Sequence, residues 1–424
     1  MEVAADTQLA QVENILKANI KLKEVVNRTP LMRNMNLSEK HDANILLKRE
    51  DLQVVRSYKI RGAYNKISSL TEDEKQKGIV CASAGNHAQG VAYACKTLGI
   101  RGVIFMPAPT PSQKVEQVNM FGKEFVEVVL VGDTFDDSFK AAKKYQEEQG
   151  SIFIHPFDDD KVIEGQGTVG LEILEDTQDP IDYLILPIGG GGLSAGVGSY
   201  FKQISPNTKI IGVEPAGAPS MREAIAKGQP IELAKIDKFV DGAAVQKIGS
   251  RTFEIGRQVL DEVMLVPEGK ICTTILKLYN KDAIVVEPAG ALSIAALDIV
   301  AEKYDLKGKN VVCVVSGSNN DITRMEEIKE RSLLYEGLKH YFIIRFPQRA
   351  GALRDFLNNV LGPKDDIVHF EYSKKINREK GPAVVGIELE DASDYEQLLG
   401  RMDKENIVYE KLNENADLFN FLIS

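Results

Sequence analysis

The sequence predicts an α/β fold built on parallel sheets, followed by a smaller α+β domain. Three observations carry this. Short apolar runs recur between residue 45 and about residue 316, and most are near-continuous, the pattern of strands covered on both faces. Helical periodicity fills the stretches between them. Past about residue 335 the rhythm changes to two helices interleaved with four strands.

The strand candidates are 79–82, 103–106, 125–131, 152–154, 183–186, 210–213, 263–266 and 311–315. The helices between them show one apolar face. After Asn86, for example, Ala88, Val91, Ala92, Cys95 and Leu98 align on one side. Strands alternating with helices imply βαβ units. In the tail, 341–346 reads as a strand and 350–361 as a helix with Leu353, Phe356, Leu357 and Val360 on one side. Two strands follow, 367–373 and 383–389, split by a polar turn at 374–382. A helix at 394–404 and a strand at 408–412 complete the order β-α-β-β-α-β, the ferredoxin-like arrangement. The expected domains are 1–334 and 335–424.

A chain of 424 residues, 43% apolar and 27% charged, has the makeup of a globular protein with two or three domains. Its net charge of −10 argues against a general polyanion binder, so no nucleic-acid partner is expected. A small anion remains possible, because a local nest of N–H groups holds phosphate even on an acidic protein. Cys81, Cys95, Cys272 and Cys313 sit in apolar surroundings with no metal or redox spacing. They read as buried free thiols of a reducing compartment. No run approaches the ~18 apolar residues of a membrane span, and residues 1–6 lack a leader pattern. A cytoplasmic protein is expected, with no resident metal.

Gly189-Gly190-Gly191-Gly192-Leu193-Ser194 directly follows one apolar run and directly precedes a helical pattern. Glycines there let successive N–H groups converge, and the helix N-terminus adds positive potential, so the loop reads as a phosphate site. Gly165-Gln166-Gly167-Thr168-Val169-Gly170 matches a dinucleotide fingerprint by spacing alone. No strand precedes it and no ribose-binding acid follows, so it reads as helix packing. Lys59 lies in the first turn of a helical pattern. Alone it is a solvated side chain; with a lowered pKa it could bind an aldehyde. Ser83-Ala84-Gly85-Asn86-His87 ends one strand and starts a helix, as either a cap or a polar ligand loop. Ser316-Gly317-Ser318-Asn319 stands at the carboxyl end of the last strand, where ligands meet parallel sheets.

Together these segments resemble the biosynthetic threonine dehydratases, pyridoxal-phosphate enzymes of the tryptophan synthase β type. The matching set, in order, begins with Asn27-Arg28-Thr29-Pro30-Leu31, Ser57-Tyr58-Lys59-Ile60-Arg61-Gly62-Ala63 and Ser83 to Gly90. It continues with the tetraglycine loop, Glu214-Pro215-Ala216, Glu287-Pro288-Ala289-Gly290-Ala291 and Ser316 to Asn319. The run Tyr341 to Leu353 resembles the start of the family's ACT-like regulatory domain, with Ala350 where the family often has Pro.

The resemblance implies two α/β subdomains for the catalytic part and one ferredoxin-like ACT-like domain behind it. It implies that Lys59 carries the covalent link to pyridoxal 5'-phosphate and removes the substrate α-proton. Asn86 would contact the ring hydroxyl, and Gly189, Gly190, Gly191, Gly192 and Leu193 would hold the phosphate. Ser316 would meet the pyridine nitrogen, while Ser83, Ala84, Gly85, Asn86 and His87 would bind the substrate carboxylate. The implied reaction turns L-threonine into 2-oxobutanoate and ammonia in a homo-oligomer, expected to be a tetramer. Isoleucine is the implied inhibitor and valine a possible activator. Competing readings are a serine dehydratase, a β-replacement synthase and a non-catalytic amino-acid sensor. Glu214 reads either as part of a cation site or as structural.

Overall fold

The computed structural model describes residues 8–372, 380–415 and 418–419. The first six residues and positions 373–379, which hold most of the expected polar turn, lie outside them. The chain divides into two compact units, residues 1–322 and 323–424.

Among its described residues the first unit carries ten strands: β1 (Leu31–Arg33), β2 (Asn44–Arg49), β3 (Ile79–Ala82), β4 (Gly102–Met106), β5 (Val126–Leu130), β6 (Ile152–Phe153), β7 (Tyr183–Pro187), β8 (Lys209–Pro215), β9 (Glu262–Val266) and β10 (Asn310–Val315). They form two sheets, in the orders β1-β2-β10-β7-β8-β9 and β5-β4-β3-β6. Every pair is parallel except β1 with β2. The two α/β subdomains are therefore two parallel sheets, each under its own helices. Every residue of β3 and β4 is buried, which explains their near-continuous apolar runs. β1 was not visible in the sequence, being three residues long and partly exposed.

The glycines of 165–170 lie inside helix Asp160–Asp176 and serve packing. A β-carbon at Gly165 would stand 2.6 Å from the Arg61 carbonyl oxygen, and one at Gly167 would stand 2.8 Å from Ile15. One at Gly170 would press on Val197 at 3.2 Å. Helices 12–22, 59–68 and 192–204 pass at those points.

In the second unit, β11 (Lys339–Pro347), β12 (Asp366–Tyr372), β13 (Lys380–Glu388) and β14 (Tyr409–Lys411) form an antiparallel sheet in the order β12-β13-β11-β14. Helices Ala352–Asn359 and Tyr395–Lys404 complete the ferredoxin-like order. Phe342, Ile344 and Phe346 alternate inward along β11 and meet Phe356, Leu398 and Met402. The tail elements shift from their expected bounds by one to three residues, and two of the shifts have a clear cause. The first tail helix starts at Ala352 because Gly351 adopts φ +84° and holds the preceding turn. β13 begins at Lys380 and takes in Gly381 and Pro382, because ladder pairing with β11 extends to Pro347↔Lys380 and overrides the turn signal of Gly-Pro.

Candidate active site

Three loops leave carboxyl ends of strands in the first unit. β3 runs into Ser83–Gly85 and helix Asn86–Leu98, and β7 runs into the glycine loop and helix Gly192–Ile204. β10 runs into Ser316–Asn319. Helix Lys59–Ser68 begins at Lys59 itself. Its entry is pinned to the third loop. Ser57 bridges to Gly317, the Tyr58 N–H donates to the Ser316 carbonyl (3.3 Å), and the Ser318 N–H donates to the Arg56 carbonyl (2.9 Å). Helix Asn86–Leu98 crosses close by, since a β-carbon at Gly90 would lie 3.2 Å from the Lys59 carbonyl carbon.

Lys59 reaches the glycine loop through one segment. Its Nζ donates to the Pro156 carbonyl oxygen at 2.9 Å. The next residue, Phe157, lies on the glycines: a β-carbon at Gly190 would fall 2.1 Å from its ring, and one at Gly192 would fall 3.1 Å from its backbone. Gly191 sits at φ +85°, and a β-carbon at Gly189 would stand 3.1 Å from the Gly242 carbonyl oxygen. Each glycine in the run is thus required by a neighbour or by its own backbone.

Asn86 Nδ2 donates to Glu287 Oε1 at 2.6 Å, and Asn319 Nδ2 donates to Asn86 Oδ1 at 2.7 Å. The third and first loops are therefore stitched at Asn86. Ser316 is buried, and its hydroxyl donates to the Ala289 carbonyl at 3.1 Å. Lys59, Asn86, the glycine loop and Ser316 are brought to one place. The His87 ring is committed to a backbone carbonyl. It is 3% exposed, and its Nε2 donates to the Ile154 carbonyl at 3.0 Å. What His87 can present at the loop is its backbone N–H.

Burial lowers the Lys59 amine to about 8, against an opposing pull from Glu287. A fraction of the amine is then neutral near physiological pH. Burial, helped by Lys59, lowers His87 to about 3 and keeps it neutral. Burial and then Asp241 push Glu287 up to about 7, while the bonds from Asn86 and Asn319 resist. Glu287 and Asn319 were not among the expected site residues. Both stood in motifs of interest, but a Glu before Pro reads as a helix cap, and the partner of Glu287 lies 201 positions away.

The site fits a phosphorylated aldehyde. Helix Gly192–Ile204 begins without a side-chain cap, so its first-turn amides are left for an outside acceptor. Helix Asn86–Leu98 also starts uncapped, at Gly85. Two bare helix N-termini and a neutral-capable lysine make a set for phosphate, carboxylate and aldehyde. Glu214 is engaged by its own chain. Its oxygens accept from the Ser220 hydroxyl (3.2 Å) and from the Met221 (2.7 Å) and Arg222 (3.0 Å) amides, at the start of helix Ser220–Lys227. Among the described residues no cluster of metal-ligating side chains occurs.

This fold and site are those of the pyridoxal-phosphate dependent enzymes, and the profile of the family so described matches residues 22–317. The profile described as the C-terminal regulatory domain of threonine dehydratase matches residues 330–422. The chain is 62% identical over 413 residues to the biosynthetic L-threonine dehydratase IlvA of Halalkalibacterium halodurans, covering 97% of this chain and 99% of that one. It is 59% identical to the Bacillus subtilis protein of the same name, covering 99% of each. Among solved structures it is similar to the processed form of threonine deaminase isoform 2 from Solanum lycopersicum, at 38% identity and TM-score 0.72, covering 77% of this chain and 96% of that one. A maize serine racemase matches at 32% identity and TM-score 0.71, covering 77% of this chain and 99% of that one. The chain belongs to the family of biosynthetic L-threonine dehydratases.

Proposed function

We propose that this chain is an L-threonine ammonia-lyase that forms 2-oxobutanoate and ammonia, the committed step toward isoleucine. One observation carries the reading. In a chain of this family, a lysine amine lowered to about 8 stands at the meeting point of an uncapped glycine-loop helix and an uncapped carboxylate-binding loop.

The amides of Gly189, Gly190, Gly191, Gly192 and Leu193 would hold the cofactor phosphate at the helix N-terminus. Lys59 would hold the aldehyde, and Asn86 would offer its side-chain N–H to the ring hydroxyl. Ser316 would give up its bond to the Ala289 carbonyl and turn its hydroxyl to the pyridine nitrogen. A neutral donor there would leave the ring unprotonated, unlike an Asp partner. Pyridoxal phosphate, when bound, supplies an electron sink for charge developing at the substrate α-carbon. Ser83, Ala84, Gly85, Asn86 and the His87 backbone hold the substrate carboxylate at the start of helix Asn86–Leu98. Lys59, as the neutral amine, accepts the α-proton at Nζ. The weak sink would suit a reaction in which that charge is spent at once by expelling the β-hydroxyl, the α-proton taken by Lys59 balancing the water formed. The released four-carbon enamine tautomerises and hydrolyses in water.

L-Threonine alone, with no added nucleophile, should yield keto acid. Lys59→Ala should lose both turnover and the visible absorbance of the bound cofactor. A requirement for a second substrate would make the chain a synthase, and isoleucine binding without turnover would make it a sensor. Kinetics on serine beside threonine ranks the two substrates.

We propose further that the regulatory domain, residues 335–424, binds isoleucine as inhibitor, with valine the candidate activator, in a cytoplasmic homo-oligomer for which a tetramer is the expected form. Support comes from the regulatory-domain match and from the ferredoxin-like sheet. No helix among the described residues is long and apolar enough to cross a membrane.

A further inference from the structure

We infer that Glu287 is a positioning residue: its carboxylate decides which way round the Asn86 carboxamide sits, and so which atom Asn86 offers to the ring hydroxyl of pyridoxal phosphate. The inference rests on the reading that Asn86 meets that hydroxyl. Glu287 is 4% exposed and stands at the N-cap of helix Pro288–Ala295, yet its side chain makes no cap bond there. The carboxylate turns to the other loops instead. Oε1 accepts from Asn86 Nδ2 at 2.6 Å, and Oε2 accepts from the Asn319 backbone N–H at 3.1 Å.

In its ionised form, which the bonds from Asn86 and the Asn319 amide favour, the Glu287 carboxylate only accepts hydrogen bonds. The nitrogen end of the Asn86 amide then faces Glu287. The oxygen end is determined as well, because it accepts from Asn319 Nδ2 at 2.7 Å. That same Nδ2 also donates to the Val55 carbonyl at 3.0 Å, which stops Asn319 from turning over. An amide nitrogen carries two hydrogens. Glu287 takes one, and the second remains for the hydroxyl oxygen. A flipped Asn86 would set its carbonyl against the carboxylate and its nitrogen against another nitrogen, losing both bonds.

One glycine makes room for this arrangement. A β-carbon at Gly317 would fall 2.5 Å from Glu287 Oε1 and 2.9 Å from its carboxyl carbon. The third loop could not carry a side chain there and still admit the carboxylate. The slot, the two acceptor bonds and the doubly engaged Asn319 all converge on the orientation of one amide.

The test uses full-length protein stripped of cofactor and titrated with pyridoxal phosphate. Two quantities are read: the dissociation constant, and the ratio of the long- to the short-wavelength absorption band of the bound cofactor, which follows the state of the ring hydroxyl. Glu287→Gln keeps the shape and so guards against a folding failure in Glu287→Ala. Both should raise the dissociation constant about tenfold, the size of one charge-assisted hydrogen bond, and shift the band ratio. In an Asn86→Ala background the same substitutions should add less than about twofold, since nothing is left to orient. If Asn86→Ala alters both readouts and the Glu287 variants alter neither, the inference falls and the Asn86 contact stands. If Asn86→Ala also changes nothing, the contact falls and takes the inference with it. Undiminished Glu287 effects in the Asn86→Ala background overturn the inference by showing that Glu287 acts elsewhere.

Discussion

Lys59 owes its lowered pKa to where its helix starts. Helix Lys59–Ser68 begins at the lysine, and the bonds from Tyr58 and Ser318 draw that first turn against the end of β10. The amine is left with a carbonyl partner and no carboxylate bond. Burial therefore wins over the distant charge of Glu287, and the amine settles at about 8. An amine captures an aldehyde only in its neutral form. In protein stripped of cofactor, the capture rate should rise with pH through about 8 and level above it. A rate still climbing at the ordinary lysine value of 10.5 would show an unperturbed amine. Stability of the stripped protein moves the same way. Between about 8 and 10.5 the unfolded chain holds a proton on Lys59 that the folded chain has lost, so the folded state gains as pH rises across that window. Denaturant midpoints across that window, compared with those of Lys59→Met, isolate this contribution. Nothing around Lys59 in the sequence shows the shift, because its causes are brought in by β10 and by Pro156.

At the scale of elements, two glycine runs of similar composition do different work. The tetraglycine loop follows β7 and opens helix Gly192–Ile204, so its amides point outward from an uncapped end. The run from Gly165 to Gly170 lies within helix Asp160–Asp176, where its missing side chains admit three other helices. Gly165→Ala should cost about 1–3 kcal/mol in urea unfolding through overpacking against Arg61, with KM for threonine unchanged. A nicotinamide dinucleotide should leave the unfolding midpoint of the native chain where it is; a raised midpoint would restore the dinucleotide reading. Strand context separated the two runs in the sequence, because a strand leaves its own local apolar signature. The start of β13 was not legible. Lys380, Gly381 and Pro382 have turn chemistry, and only the ladder with β11 holds them extended.

At the scale of the whole molecule, the first unit encloses charges that no sequence pattern distinguishes. Arg61 is fully buried and pairs with Glu50 and Glu172 at 2.8 and 2.7 Å, and Lys48 joins Glu172 at 2.6 Å. Asp176 adds a further carboxylate 3.8 Å from Lys48, and the network ties β2 to helices Lys59–Ser68 and Asp160–Asp176. The second unit has its own sheet and core, as expected of a separately folding domain. Truncation after Ile322, which removes helix Met325–Tyr335 together with that sheet, should leave threonine turnover and abolish isoleucine inhibition. Inhibition that survives truncation would move the effector site into the first unit.

The sequence alone determined the alternation of strands and helices, the β-α-β-β-α-β tail and the strand-to-helix setting of the tetraglycine loop. These follow from apolar periodicity and glycine placement, which act within one or two dozen residues. Only the tertiary structure decided that His87 points its ring at Ile154, that Glu214 caps a helix, and that Glu287 and Asn319 grip Asn86 from both ends. Each of these is a hydrogen bond whose partner is chosen by the packing of separate strand ends. The direction of a polar side chain has no periodic signature along the chain.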